Sequence, residues 1–358
     1  MESAAVLDTI AGMTLTSFNP IPHYTVSSGE LPRIALLATG GTIAGSAADA
    51  TRTAGYQAGA LGVQDLLAAV PALGNVAHIH AEQVAQIDSK DISVSLWQKL
   101  AARVNALLAQ PDVAGAVITH GTDTLEETAY YLHLTINSRK PVVLTAAMRP
   151  ATALSADGPL NLLNAVRVAT DPISAGRGVM VAINNQIHCA RDVIKTSTYK
   201  VDAFHSPEIG VIGWVQDERV AFQREPLQYH TVESEFVGLS GELPAVEVVS
   251  SYAGVSRIAV DALVEAGVQG IVVAGTGNGS LHSLLQQALA EAVQRGVTVV
   301  RASRVGSGHV MHNGAAPDDQ YGFVSAGNLH PYKARVLLML ALQAGVPRER
   351  MQSLFDEY

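Results

Sequence analysis

Three short apolar runs, each cut off by glycine and threonine, constrain this chain more than any other feature. They are Ile34 to Ala38 before Gly40-Gly41-Thr42, Ala116 to Thr119 before His120-Gly121-Thr122-Asp123, and Gly270 to Ala274 before Gly275-Thr276-Gly277-Asn278-Gly279. A short apolar run without polar alternation, bounded by glycine, is the pattern of a strand covered on both faces. Helical periodicity follows. Trp97, Leu100, Val104 and Leu107 put an apolar stripe on one face of a helix over 91–108. Leu125, Ala129, Leu132 and Ile136 do the same after the second cluster, where Thr124 and Glu127 have the spacing of a capping box. Pro141 to Thr145 and Gly178 to Ile183 add strands. Strand, polar turn, helix, strand is the βαβ unit of an α/β sheet.

The 358 residues fit two domains. Between Asp217 and Pro244 the periodicity lapses and charge rises, as expected of a connection. A second α/β run follows, with helices over 257–265, 281–294 and 332–344 and strands over 270–274 and 297–300. The expected organisation is an arm (1–32), a larger N-terminal α/β domain with a mostly parallel sheet (33–220), a linker (221–245) and a smaller parallel α/β domain (246–358).

Several function classes are disfavoured. Thirty-two acidic against 23 basic side chains give a net charge of −9, with no basic run, so nucleic acid is not an expected partner. No stretch of 18 apolar residues suggests a membrane span. The lone Cys189 cannot form an intrachain disulfide and reads as a small buried side chain. Glu2 and Asp8 stand where a secretory signal would be basic, so the chain as it stands reads as cytoplasmic; removal of a signal would leave a periplasmic reading open. The twelve histidines form no metal signature. His78 and His80 would share one face of a strand, and His309 and His312 could meet on a helix turn, but neither pair has the spacing of a zinc set. No metal and no cofactor are expected. The first glycine cluster lacks the GK[ST] of a P-loop, and no GxSxG elbow is present. Residues 275–279 read GxGxG, and the next strand carries Arg301 where a ribose-binding acid would stand, which disfavours a nicotinamide cofactor.

Ligands in open α/β sheets collect beyond the carboxyl ends of the strands, which points to the three polar clusters. Thr42 is either a cap or a hydroxyl aimed at a substrate. Thr122 and Asp123 are not needed to cap a helix that Thr124 can cap. Asp123 there either compensates the helix dipole or joins a site for a small charged substrate.

Together these segments resemble the bacterial L-asparaginases. LLATGGTIAG at 36–45 and ITHGTDTLEETAYYL at 118–132 match that family's two active-site signatures. TAAMRPATALSADGPLNLLNAV at 145–166, CARDVIKTST at 189–198, AGTGNGSL at 274–281 and YGFVSAGNLHPYKARVLL at 321–338 extend the match over roughly residues 33–358. The pattern is nearer the type II branch, without that branch's usual signal and disulfide. The resemblance implies a threonine nucleophile that attacks a side-chain amide, expels ammonia and is freed by water. By motif, Thr42 is the nucleophile and Tyr56 assists its deprotonation. Thr122, Asp123 and Lys195 form a second catalytic group. Gly41 belongs to the oxyanion turn, Ser89 to the α-carboxylate receptor, and Asp123 to the ammonium receptor. Asn278 matches an asparagine that a neighbouring subunit contributes. The resemblance further implies a homotetramer, a dimer of dimers with sites at subunit interfaces.

Two positions depart from the pattern. Lys90 stands where many members carry Gln or Glu, and a charged lysine cannot accept a hydrogen bond; it either points away or meets the substrate carboxylate. The family's interface glutamate falls near Ala315, and a shift of a few residues would bring Asp318 there instead. The expected reaction is hydrolysis of L-asparagine to L-aspartate and ammonia. The alternatives are comparable L-glutamine turnover, or a non-catalytic amino-acid-binding protein on the same scaffold.

Overall fold

The computed structural model describes residues 30–358. Glu2, Asp8 and most of the expected arm lie outside the described residues. The first sheet begins with β1 (Arg33–Gly40), β2 (His78–Ile87), β3 (Val113–Thr119), β4 (Val142–Thr145), β5 (Val179–Ile183) and β6 (Gln186–Cys189). A detached hairpin, β7 (Ile194–Lys195) with β8 (Phe204–His205), comes next, and β9 (Gly213–Gln216) and β10 (Arg219–Phe222) return to the sheet. The strand order is β10-β9-β6-β5-β4-β3-β1-β2. From β2 to β5 the pairs are parallel, and β6, β9 and β10 close the edge antiparallel.

Four helices serve this sheet: α1 (Val63–Ala68), α2 (Val94–Leu108), α3 (Leu125–Thr135) and α4 (Gly158–Thr170). The uninterrupted apolar runs are explained by helices on both faces. Ala35, Leu37 and Ile118 pack with residues of α2 and α3, whereas Ile34, Leu36 and Val117 pack with those of α4. Ser93 caps α2 by accepting from the Leu96 N–H. The expected capping box at Thr124 is not formed. That residue starts α3 without a side-chain cap, because its hydroxyl is spent on the Ser89 carbonyl at 2.7 Å.

The second sheet is wholly parallel, in the order β11 (Val246–Ser250), β12 (Gly270–Gly275), β13 (Thr298–Ser303), β14 (Val324–Ser325). Its helices are α5 (Ile258–Glu265), α6 (Ser283–Gln294), the short α7 (Asp318–Tyr321), α8 (Pro331–Gln343) and α9 (Met351–Glu357). Both sheets are α/β and the N-terminal one is the larger, as the sequence implies. One face of the second sheet meets α5 and α6. The other meets α8, whose Leu337, Leu338 and Leu340 share a continuous core with Tyr130 and Leu134 of α3. The apolar helix α8 is thus the wedge between the two sheets.

Residues 217–244 begin within the β9–β10 hairpin. Beyond Phe222 they contain no strand or α-helix, yet they are pinned. Phe236 is fully buried, the Ser234 hydroxyl donates to the Leu134 carbonyl at 2.7 Å, and the Glu235 N–H donates to the Tyr358 hydroxyl at 2.8 Å. His309 and His312 lie in an irregular segment rather than on a helix. Among the described residues no helix is long and apolar enough to cross a membrane, and no three His, Cys, Asp or Glu side chains are placed to hold a metal.

Candidate active site

β1 and β3 are neighbours, so their polar ends emerge side by side. After β1 the chain turns at Gly40 and Gly41, both at positive φ, into a 3-10 turn over Thr42–Ala44. A Cβ on Gly41 would lie 2.2 Å from the Gly121 Cα, and one on Gly121 would lie 2.5 Å from the Ser89 hydroxyl oxygen. Only glycine lets the loops after β1 and β3 touch backbone to backbone with the Ser89 side chain packed against them. Thr42 is buried, and its hydroxyl is 2.6 Å from the Tyr56 hydroxyl. Tyr56 lies on the excursion after the turn, which is fastened by antiparallel bonds between Ser46 and Gln57 and by the Gly59 N–H to the Gly41 carbonyl at 3.0 Å.

The second group forms at the start of α3. Lys195 reaches back from β7 and donates from Nζ to the Thr122 hydroxyl at 2.8 Å and to the Asp123 carboxylate at 2.6 Å. Thr122 is buried, whereas Asp123 is half-exposed. Ser89 crosslinks the loops. Its hydroxyl accepts from the Asp123 N–H at 3.1 Å and its carbonyl accepts from Thr124. The arrangement contains two hydroxyls, each with its own proton-exchanging neighbour, on two loops fixed against each other. Such a pair can run nucleophilic attack and proton transfer in succession.

The fold therefore brings Gly41, Thr42, Tyr56, Ser89, Thr122, Asp123 and Lys195 to one end of the first sheet. Lys90 is beside them but turned to the surface. Its ammonium binds Asp88 at 2.9 Å and Asp91 at 3.1 Å, and the hydrogen bond it donates to Asp88, then that to Asp91, raises its pKa. Asn278 is elsewhere, exposed after β12, with its side-chain oxygen accepting from the Met311 N–H at 2.9 Å. Asp318 is not available at the surface. It is fully buried against the equally buried Arg301.

Sequence reasoning passed over His120, Glu126 and Lys333. Burial pushes His120 down to about 4, and the neutral ring is held by the Gly121 carbonyl at 2.7 Å and the Thr128 hydroxyl at 3.0 Å. Glu126 accepts from the Lys195 N–H at 2.6 Å, and Lys333 is fully buried in α8. The available signal was a charged side chain inside an otherwise apolar helical stripe. Cys189 is inert: burial pushes its thiol up to about 12.

Residues 33–228 match the family model "Asparaginase, N-terminal", and residues 245–355 match "Glutaminase/Asparaginase C-terminal domain". The chain is 47% identical to the probable periplasmic L-asparaginase of Haemophilus influenzae, over 93% of this chain and 95% of that one. It is 45% identical to the glutaminase-asparaginase of Pseudomonas fluorescens, over 92% and 91% of the two chains. The crystal structure of a probable cytoplasmic L-asparaginase from Campylobacter jejuni superposes with a TM-score of 0.89 at 46% identity, covering 91% of this chain and all of that one. With both halves matched in order and the loop geometry of the signatures formed, the chain belongs to the bacterial asparaginase and glutaminase-asparaginase family.

Proposed function

We propose that this protein is an L-asparagine amidohydrolase acting through Thr42. The observation that carries the reading is the buried Thr42 hydroxyl 2.6 Å from the Tyr56 hydroxyl, beside a Thr122–Lys195–Asp123 relay. An unassisted threonine is a weak nucleophile, and a neighbour that takes its proton removes most of that handicap. Thr42 Oγ bonds to the amide carbon as its proton passes to the Tyr56 oxygen, and the Tyr56 phenol passes its own proton on to the amide nitrogen. The C–N bond breaks and ammonia departs with that proton. Water then attacks the ester, aspartate leaves, and the Thr42 hydroxyl is restored. Backbone donors of the Gly41–Thr42 turn and of Thr122 steady the oxyanion.

Ser89 receives the substrate carboxylate and Asp123 its ammonium, which fixes the amide against Thr42. Lys90 flanks the same receptor but points away from it, its ammonium engaged by Asp88 and Asp91. The working domains are 33–220 and 246–358, joined by 221–245, with the partner's Asn278 completing each site in a homotetramer. The similarity to a glutaminase-asparaginase supports a second substrate, L-glutamine. One methylene in a small pocket is worth about 1–3 kcal/mol of discrimination.

Ammonia release from both amides, with Thr42→Ala alongside, tests the reading. The expected result is release by the native protein and a loss of roughly 10³-fold or more in the variant. An equally active Thr42→Ala protein removes Thr42 from the chemistry.

A further inference from the structure

Lys195 sits on a strand of two residues, paired with β8 only through Ile194–His205 and Lys195–Phe204. So short an element does not by itself hold a side chain to the tolerance that catalysis needs. Two buried charged residues hold it and the loop that leads into it. Glu126, in the first turn of α3, is 6% exposed and accepts from the Lys195 N–H at 2.6 Å. Lys333, in α8 of the other sheet, donates from Nζ to the carbonyls of Ala190 and Arg191, each at 2.8 Å, and to that of Val193. An ammonium has three donors, and all three go to the loop that delivers the chain into Ile194 and Lys195.

The two charges are kept at a cost. Burial raises the carboxyl of Glu126 above its ordinary value and lowers the amine of Lys333 to about 8. Apolar side chains would fill the same space without that penalty. The expense is intelligible where a backbone has to be fixed in one place.

We propose that Glu126 is a positioning residue for Lys195, holding its main chain so that Nζ reaches both Thr122 and Asp123, with Lys333 completing the clamp from the second sheet. This rests on the reading of Lys195 as catalytic. The clamp couples the two domains to the chemistry, because α8 belongs to one and β7 to the other.

The test compares Glu126→Ala and Glu126→Gln in the native and the Lys195→Ala backgrounds, with melting curves, kcat and KM for L-asparagine, and amide hydrogen exchange at Lys195. Glu126→Ala is expected to lower kcat by about 10- to 100-fold, the scale of an ångström-sized misplacement, with KM within about twofold. Glu126→Gln retains an acceptor oxygen and is expected to rescue kcat to within about threefold of the native enzyme. In the Lys195→Ala background the alanine substitution is expected to change nothing further, because the residue acts through Lys195. A folded Glu126→Ala enzyme with kcat within about twofold of native overturns the proposal, as does an equal loss in both backgrounds. If Glu126→Ala does not melt cooperatively, Glu126→Asp, which withdraws the carboxylate by one methylene, is judged by the same criteria. If the native protein releases no ammonia, or Lys195→Ala is fully active, the catalytic reading fails instead. Exchange at the Lys195 amide then judges the clamp alone: acceleration of about tenfold or more supports it, and an unchanged rate overturns it.

Discussion

Removing Asp318 leaves one of the costliest vacancies available in the second domain. Arg301 and Asp318 are both fully buried, on β13 and at the start of α7. The guanidinium has five donors and uses them all. Nε and one Nη2 hydrogen go to the two carboxylate oxygens, the other Nη2 hydrogen to the Met311 carbonyl, and Nη1 to the carbonyls of Asn278 and Gly279. Asp318 in turn accepts from the Asn313 N–H at 2.8 Å. Asp318→Ala therefore strands two donors of a buried cation and one backbone N–H. Breaking a buried pair by deleting one partner costs about 3–5 kcal/mol. Arg301→Leu leaves a buried carboxylate without its cation and takes the donor from the Asn278 and Gly279 carbonyls, with a cost in the same range of about 3–5 kcal/mol.

The double variant should cost less than the two singles together by about 2 kcal/mol or more, because no charge is then left alone. Urea unfolding of the three variants, followed by a probe on the second domain, measures this. Single-variant costs below about 1 kcal/mol, or strict additivity, would refute the reasoning that this pair is a closed, desolvated unit. Because Arg301 holds the Asn278 carbonyl, the same variants should raise KM before they lower kcat. A variant that loses kcat at constant KM would separate Asn278 from substrate binding.

Two further predictions use other parts of the molecule. Tyr56→Phe removes only the hydroxyl that meets Thr42, so kcat should fall by about 10²-fold or more while KM changes little; steady-state kinetics with unchanged kcat would remove Tyr56 from proton transfer. His120 and His188 are buried and held down to about 4 by desolvation, and His133 is lowered well below its ordinary value for the same reason. In the unfolded chain each binds a proton near pH 6.5 that the folded protein refuses. Stability is therefore present above that pH and lost as pH falls from about 6.5 toward 4, by up to about 1.4 kcal/mol per pH unit for each histidine. Urea midpoints between pH 7 and 4.5 should show the decline, and a flat profile would mean the rings are protonated in the fold.

What the sequence disclosed was what neighbouring residues decide among themselves. Buried strands, helix stripes and glycine turns are local patterns, and Thr42, Thr122 and Asp123 stand at strand ends where such sheets gather ligands. What it concealed was pairing across distance. Nothing local says that Lys333 finds the carbonyls of residues about 140 positions earlier, or that Arg301 closes on Asp318. The capping box at Thr124 failed for the same reason. Its hydroxyl had a choice between its own helix and Ser89, 35 residues upstream, and the fold settled it for Ser89. Lys90 looked like a break in the substrate receptor, but its acidic neighbours Asp88 and Asp91 in sequence are also its partners in space.

The backbone contact between Gly41 and Gly121 also limits how such a protein can change its preferences. Neither loop has room for a side chain at that point, so neither can be shifted to enlarge or reduce the space between the two hydroxyl groups without dislodging the other. The reactive geometry is inherited as a single unit. Diversity in which amides are accepted must then enter from the periphery: from the excursion that carries Tyr56, from residues around Lys90, and from the surface that bears Asn278. Laboratory evolution of selectivity would find its gains there, and substitutions at the two glycines would extinguish turnover rather than redirect it.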